Sequence, residues 1–550
     1  MDPRQPKVLS AAPARQPWWA FPISAHREAA GVKIRIAWGR LALQLLTLAV
    51  AAWLAMGSGM FLWIKYYRGF AEARLVDILL PNRWAGYRTA RGNFYIKQAM
   101  QELADQKPFK AIHHLRVGVA AAPSNLEGRI TLAKFFSYHG RFELARRTLL
   151  DGIPHSQHDP EFVRALFAFL LRYQEDEQIC RLAADLLPAT PLVDNRNQLI
   201  ALAAATAHFH RGNYDEAETL LRAYALADTK DGRLLAVRIE WDRGHHDLAL
   251  LRLESYLRLF PAEEDFYNQL ALFNRELGRF AAVEKYAILR QIANPRSTAA
   301  RIDLLLAYKL NHDTAQYQRE VDAFFRDFPG DPAVLEALAN FGAGQGDTAL
   351  VLRVRQHLLA RNLPTAAVGL MIAEAHLVAG EHRAALDYLY ELGRARPEWF
   401  QKSLGFINGL QAVACYGLDQ REDADLYLQH FLAQPEIRAE QLAAIANHLV
   451  VAGAKRPARQ VLAQAVAADP RNQNALTRLI ALDLEGAPTP ELTANLRRLL
   501  AMRRPAPAVL QLARTRLSSD RYLFVAGREE LLAAIQAALA RGPVLPVTAL

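Results

Sequence analysis

Gly212-Asn213-Tyr214-Asp215-Glu216-Ala217 is the stretch on which the reading of this chain turns. A glycine, a small polar residue, an aromatic, two acids and an alanine read as the turn between two antiparallel helices. Asn213 or Asp215 is placed to cap the second helix, whose N-terminus favours nearby carboxylates. One hexapeptide is weak, but self-similarity at a fixed period is the mark of a repeat array. With Gly212 as position zero, the corresponding residues are Gln106, Gly140, Glu175, Gly212, Gly244, Gly278, Asn311, Gly346, Gly380, Asp419 and Gly453. Successive spacings are 34, 35, 37, 32, 34, 33, 35, 34, 39 and 34.

Two columns of small or aliphatic residues keep step with the turn. Five places after it stand Ala111, Ala145, Cys180, Ala217, Ala249, Val283, Gln316, Val351, Ala385, Ala424 and Ala458, where only Gln316 breaks the pattern. Seven places before it stand Ala99, Ala133, Ala168, Ala205, Val237, Ala271, Leu304, Ala339, Ala373, Ala412 and Ala446. Small side chains at two fixed points are what a close helix crossing requires. A proline follows near position 17: Pro123, Pro261, Pro295, Pro397 and Pro470, with Pro191, Pro329, Pro364 and Pro435 one place off. It ends the second helix, because the residue before a proline is pushed out of helical geometry.

These features resemble the tetratricopeptide repeat family over roughly residues 90 to 490. The departures are Gln316, the long unit from 380 to 419, and the turns at 106, 175, 311 and 419 that lack glycine. The resemblance implies an all-α solenoid: helix pairs stacked into a right-handed superhelix whose concave groove holds a partner, so binding rather than catalysis.

The net charge of +10 hints at nucleic acid until it is located. Residues 1–68 hold nine Lys or Arg and two acids, which places +7 there and leaves +3 for the other 482 residues. A basic tail beside an apolar span is explained by lipid and topology, so no nucleic-acid partner is expected. Residues 1–40, with Pro3, Pro6, Pro13, Pro17 and Pro22, read as a mostly disordered tail in which Trp18, Trp19 and Phe21 form an aromatic cluster.

Leu41 to Ile64 is a run of 24 residues without a formal charge, bracketed by Arg40 and Lys65. As a helix it measures roughly 36 Å, against about 30 Å of bilayer hydrocarbon. Trp38, Trp63, Tyr66 and Tyr67 lie where interfacial rings belong, so a transmembrane helix is expected over 41–64. The rival is a cleaved signal peptide ending near Ala49-Val50-Ala51, inside the apolar run. Gly57-Ser58-Gly59 lacks the spacing of a helix-packing motif and reads as a kink or as nothing. Four Lys or Arg in the 15 residues before the span and three in the 15 after it hardly set its direction. The tail's further Arg4, Lys7 and Arg15 favour a cytoplasmic tail and a periplasmic array at a bacterial inner membrane. Residues 65–91 read as a connector, with a short helix from Phe70 to Leu80 and with Trp84 and Tyr87 covering the first repeat. The array of about eleven to twelve repeats runs over 92–486. A degenerate helix pair (Leu476–Leu484, Leu492–Met502), an amphipathic closing helix (Glu529–Ala540) and a frayed end at Gly542-Pro543-Val544-Leu545-Pro546 occupy 487–550.

No catalytic residue, cofactor or metal site is expected. Cys180 and Cys415 fall in different repeats and suit helix packing. The pairs His113-His114, His245-His246, His208/His210 and His155/His158 lack a third ligand at sensible spacing. Gly342-Ala343-Gly344-Gln345-Gly346 has no preceding strand and no Lys-Ser/Thr pair, so it is a repeat turn and not a phosphate loop. Of the resemblance's groove positions, 10, 6, 3 and 2 before each turn, the candidates are Lys134 and Tyr138, then Phe169, Arg172 and Tyr173. Phe209 and His210 follow, then Arg238, Trp241 and Asp242, Arg275 and Glu276, Arg301, Tyr308 and Lys309, and Tyr416. Aromatics beside arginines suit a peptide-binding surface, although some of these rings are interhelix packing. The lysine/asparagine clamp that some family members use for a C-terminal carboxylate is not reproduced. The expected role is a membrane-anchored scaffold for partner proteins in envelope biogenesis, secretion or polysaccharide export. A glycan-binding solenoid, or a regulatory subunit of a membrane enzyme, remains open on the sequence.

Overall fold

The computed structural model describes residues 23–28, 31–434, 437–486 and 489–540. The expectations for Trp18, Trp19 and Phe21, for Pro435 and for the end at 541–550 lie outside the described residues. Contacts divide the chain into two compact units, 1–166 and 167–550.

In the first unit, β1 (Ile23–Glu28) and β2 (Gly31–Ile36) form an antiparallel hairpin that pairs Ile23 with Ile36 and Glu28 with Gly31. Sequence reading placed this segment in a disordered tail; its β-branched Ile23, Val32, Ile34 and Ile36 suit strands instead. Helix α1 (Trp38–Leu62) follows and runs on as a π-helical turn, Trp63–Tyr67. Leu43, Leu45, Leu46, Leu48 and Val50 are exposed along its first half. Among the described residues, Leu41–Tyr67 is the one stretch long and apolar enough to cross a membrane.

The second half of α1 is approached on one side only: Gly57 is buried there, while Leu54, Met56 and Met60 stay exposed. Helix α2 (Leu75–Leu79) is shorter than the expected Phe70–Leu80 and lies against it. Gly57 permits this approach, since a Cβ there would stand 2.4 Å from Leu79 Cδ2. The glycine read as a kink is a contact point. Trp53 Nε1 donates to Leu79 O (3.1 Å), and Trp84 Nε1 to Ile78 O (2.9 Å). Ile64, Phe70, Ala73 and Ile78 form a small core with Tyr87 and Phe94, so Trp84 and Tyr87 face the connector. Helices α3 (Trp84–Ala104) and α4 (Pro108–Ala121) make the first hairpin.

Every later hairpin repeats this plan. The turn residue has a left-handed backbone at Gln106, Gly140, Gln174, Gly212, Gly244, Gly278, His312, Gly346, Gly380, Asp419 and Gly453. Nine of these are the residues read as position zero; the other two move by one place, from Glu175 to Gln174 and from Asn311 to His312. The spacings become 34, 34, 38, 32, 34, 34, 34, 34, 39 and 34. The shift repairs the columns. Phe167 and Ile179 are buried where exposed Ala168 and half-buried Cys180 had been assigned, and buried Leu305 and Tyr317 replace Leu304 and Gln316. Elsewhere the small columns are buried except at half-buried Ala271, and Ala205, Ala217, Val237, Ala249, Val351, Ala373, Ala385, Ala412, Ala424, Ala446 and Ala458 are all at 0% exposure.

Capping is divided unevenly. Asp313 and Asp347, one place after their turns, accept from Gln316 N and Leu350 N at 3.0 Å each. Asn213 stands at the same place and makes no side-chain cap; Asp215 and Glu216 supply the acids of that first turn. At the far end, helices Gln473–Glu485, Leu492–Ala501, Pro507–Leu517 and Arg528–Ala540 close the core around Leu496, Leu510, Tyr522 and Ile535. The helix Pro507–Leu517 is additional to those read from sequence.

Candidate partner-binding site

The inner wall of a helix-pair solenoid is made by the first helix of each pair, so the groove residues are read against the corrected turns. Lys134 and Tyr138 belong to the smaller unit, in helix Leu126–Tyr138, and both are exposed, Tyr138 at 87%. The other candidates lie in the larger unit.

The one-place shift moves Phe169 and Tyr173 off the wall and onto each other, ring centroids 4.6 Å apart. Arg172, two places before Gln174, stays on the wall and is exposed. The shift has a stronger effect near His312. Arg301 is 2% exposed; its guanidinium is held by Glu320 (2.5 Å) and Asp327 (2.9 Å) and lies over the Phe324 ring. Tyr308 is buried as well. Both are core side chains. Lys309 moves to three places before the turn and donates to Gln345 O of the next hairpin at 3.1 Å.

Trp241 is an interhelix residue. It is 7% exposed, lies flat on Phe273 at 3.8 Å with 3° between the planes, and has His246 at 4.2 Å. Its Nε1 donates to Glu276 Oε2 (2.9 Å). A sugar ring needs an open aromatic face on which to stack, and Phe273 covers one face of this indole. Phe209 is half-buried beside Tyr214, and Tyr416 donates to Asp425. Arg238 and Arg275 remain exposed, Arg238 with its Nε on Gln269 Oε1 at 2.8 Å. Of the candidates in the larger unit, those that stay exposed are thus charged rather than aromatic: Arg172, Arg238, Arg275 and Glu276.

Two further side chains shape this face electrostatically. Glu374, six places before Gly380, is half-buried, and burial raises its carboxyl to about 7. His210 is lowered to about 4, first by burial and then by the charge of Arg503, so it is neutral at physiological pH. Sequence reading named His210 but missed its neighbours from the far end of the chain, because no local pattern announces a contact across 294 residues, the separation of Arg504 from His210. Burial also raises the Cys415 thiol to about 11, which keeps it protonated in the core.

No family model and no curated protein matches the chain. Solved structures do. Naa15, in a complex with Naa10 bound to HypK, is 14% identical and aligns over 89% of this chain and 78% of its own, with a TM-score of 0.27. PilF of Pseudomonas aeruginosa is 14% identical over 44% of this chain and 95% of its own, TM-score 0.26. A tetratricopeptide repeat protein of Parabacteroides merdae is 12% identical over 56% and 99%, TM-score 0.28. This chain itself is built from a repeated helix pair. The left-handed turn residue near every 34th position and the two buried columns around it are the marks of one such repeat. The chain is an all-α solenoid of stacked helix pairs whose repeats resemble the tetratricopeptide repeat. In the larger unit Arg172, Arg238, Arg275 and Glu276 are exposed at the candidate groove positions.

Proposed function

We propose that the protein is a scaffold anchored by Leu41–Ile64 in a bacterial inner membrane, which holds partner proteins on the inner wall of its repeats. The N-terminal tail lies in the cytoplasm and the repeats in the periplasm, where the partners belong to envelope biogenesis, secretion or polysaccharide export. The observation that carries this reading is the exposure of Arg172, Arg238 and Arg275 on first helices whose aromatic neighbours are consumed by the core. Guanidinium groups present several donors in a rigid fork, which suits the carbonyls and carboxylates of an extended segment. The membrane part rests on the exposed apolar first half of α1.

Two measurements test it. Capture from detergent-solubilised membranes with the full chain should recover a partner that the Arg238→Ala/Arg275→Ala double variant loses while remaining folded. Equal retention by that variant removes the groove from the account. Reporters fused after Leu550, one active only in the periplasm and one only in the cytoplasm, test the side. A cytoplasmic signal reverses the topology and makes the inner face the place of assembly.

A further inference from the structure

Within the larger unit, contacts that span 290 to 332 residues of sequence converge on one loop, and Arg471 pairs with Glu175 (2.6 Å) as a further long-range contact. Arg503 and Arg504 sit between helices Leu492–Ala501 and Pro507–Leu517 and reach back to residues 171–242. Arg503 approaches Asp176 in a two-pronged pair, Nε to Oδ2 at 2.8 Å and a terminal nitrogen to Oδ1 at 3.1 Å. The same nitrogen donates to Leu171 O at 2.7 Å. Asp176 is only 4% exposed, so this carboxylate is a built acceptor and not a surface charge. The Arg504 backbone N–H donates to His210 O at 2.7 Å. Its guanidinium lies 5.7 Å over the Tyr214 ring and donates to the Tyr214 hydroxyl, which in turn donates to Asp242 Oδ2 at 3.1 Å. Gly212 makes room for it: a Cβ there would stand 3.1 Å from Arg504 Cδ. Gln473 Nε2 holds Arg503 O from behind at 2.8 Å.

The acceptors occupy informative places. Leu171 and His210, which accept through their carbonyls, stand three and two positions before Gln174 and Gly212, at inner-wall positions, while Asp176 and Tyr214 stand two positions after those turns, at the start of the second helices. The loop therefore sits at the edge of the groove, where wall positions meet the turns. Each arginine meets a shaped set of acceptors that rewards the planar fork of a guanidinium and not the point charge of an ammonium. A contact made within one chain gains from high effective concentration and yields to a free segment of the same chemistry only when that segment competes.

We propose that Asp176, Tyr214 and Asp242 form an arginine-reading site at the edge of the groove, occupied in cis by Arg503-Arg504, whose trans ligand is an extended peptide with two adjacent arginines. The proposal rests on the scaffold reading for the existence of a trans partner, and it deepens that reading by naming the partner's chemistry. The probe is a fluorescently labelled peptide of residues 501–509, titrated by anisotropy into the full chain in detergent. The Arg503→Ala/Arg504→Ala variant, its site vacated, should bind the peptide at least tenfold more tightly than the wild type. Adding Asp176→Asn to that variant, or replacing both peptide arginines by lysine, should remove the gain. If the vacated variant loses helicity, Arg503→Lys/Arg504→Lys keeps the charge in the loop and should show the same gain.

No gain in either folded variant, or a gain indifferent to Asp176 and to the lysine peptide, overturns the proposal and leaves a structural clasp. Failure of the peptide while partner capture still depends on Arg238 and Arg275 refutes this site alone. Peptide binding with capture indifferent to those arginines refutes the scaffold groove alone.

Discussion

The turns at Gly212 and Gly278 are the same object in different company. Both glycines have left-handed backbones (φ +77° and +68°), and each precedes a short helix with a buried small residue five places on, Ala217 and Val283. A side chain added at Gly278 would meet open space; at Gly212 it would meet Arg504. The hairpin is therefore written within its own repeat, while its surroundings at Gly212 come from a loop 290 residues away in sequence. In a solenoid each repeat touches its neighbours, so stability is close to a sum of local terms. The Gly212 region is where that sum gains a distant one.

The largest expected effect lies in the hairpin between the two turns. Trp241→Ala removes a buried, stacked and hydrogen-bonded indole, and should cost about 3–5 kcal/mol in urea unfolding of the full chain. A loss below about 1 kcal/mol would mean that local packing does not govern this stretch and would break the comparison.

Next is a pH effect well beyond Gly278. Folded Glu374 titrates near 7 because burial penalises its charge, against an ordinary 4.5 when unfolded. The folded state holds the proton more tightly, so this stabilisation is full below pH 4.5 and is lost as pH rises through 7. The change amounts to about 3 kcal/mol across that window. Glu374→Gln should flatten the corresponding part of the stability–pH curve; an unchanged slope between pH 5 and 7 would show that the carboxylate is solvated.

Smaller, and most direct, is the paired substitution. Gly278→Ala should lose roughly 1–2 kcal/mol for the left-handed backbone alone. Gly212→Ala should lose about 1 kcal/mol more, because the new methyl also presses on Arg504. In the Arg503→Ala/Arg504→Ala background that excess should vanish, and equal losses in the wild type would erase the distinction between the two turns. Smallest of all, Arg238→Ala should change stability by less than about 0.5 kcal/mol, since the residue is exposed and its one hydrogen bond, to Gln269, is only part-buried. A larger loss would place it in the core beside Trp241.

Much of this was legible in the sequence because the repeat is local. A glycine favours the left-handed turn, so seven turns could be read directly, and the small residues at the crossing placed two more, Gln106 and Asp419. Gln174 and His312 hold the same backbone without being glycine, and there the register slid one place. That single slip carried Arg301 and Tyr308 onto the wall on paper, whereas in the structure they are core. Trp241 shows a different limit. Three places before a turn lies at the border between wall and interior, and only the partner ring, Phe273, decides the side. The hairpin at 23–36 was hidden by the surrounding prolines, and Gly57 by the lack of any sign that α2 would fold back.

That return of α2 onto α1 changes how the smaller unit is carried. Seventeen residues of free chain between Tyr67 and Ala85 would wander over roughly 23 Å, a leash. Trp53 and Trp84, each fastened to the α2 backbone, replace the leash with a bracket. With α1 in the bilayer as proposed, its tilt is set by the match between apolar length and membrane thickness. A leash would absorb a change of tilt, but a bracket hands it on to α3 and α4. Membrane thickness then becomes an orientation of the first hairpin within the smaller unit.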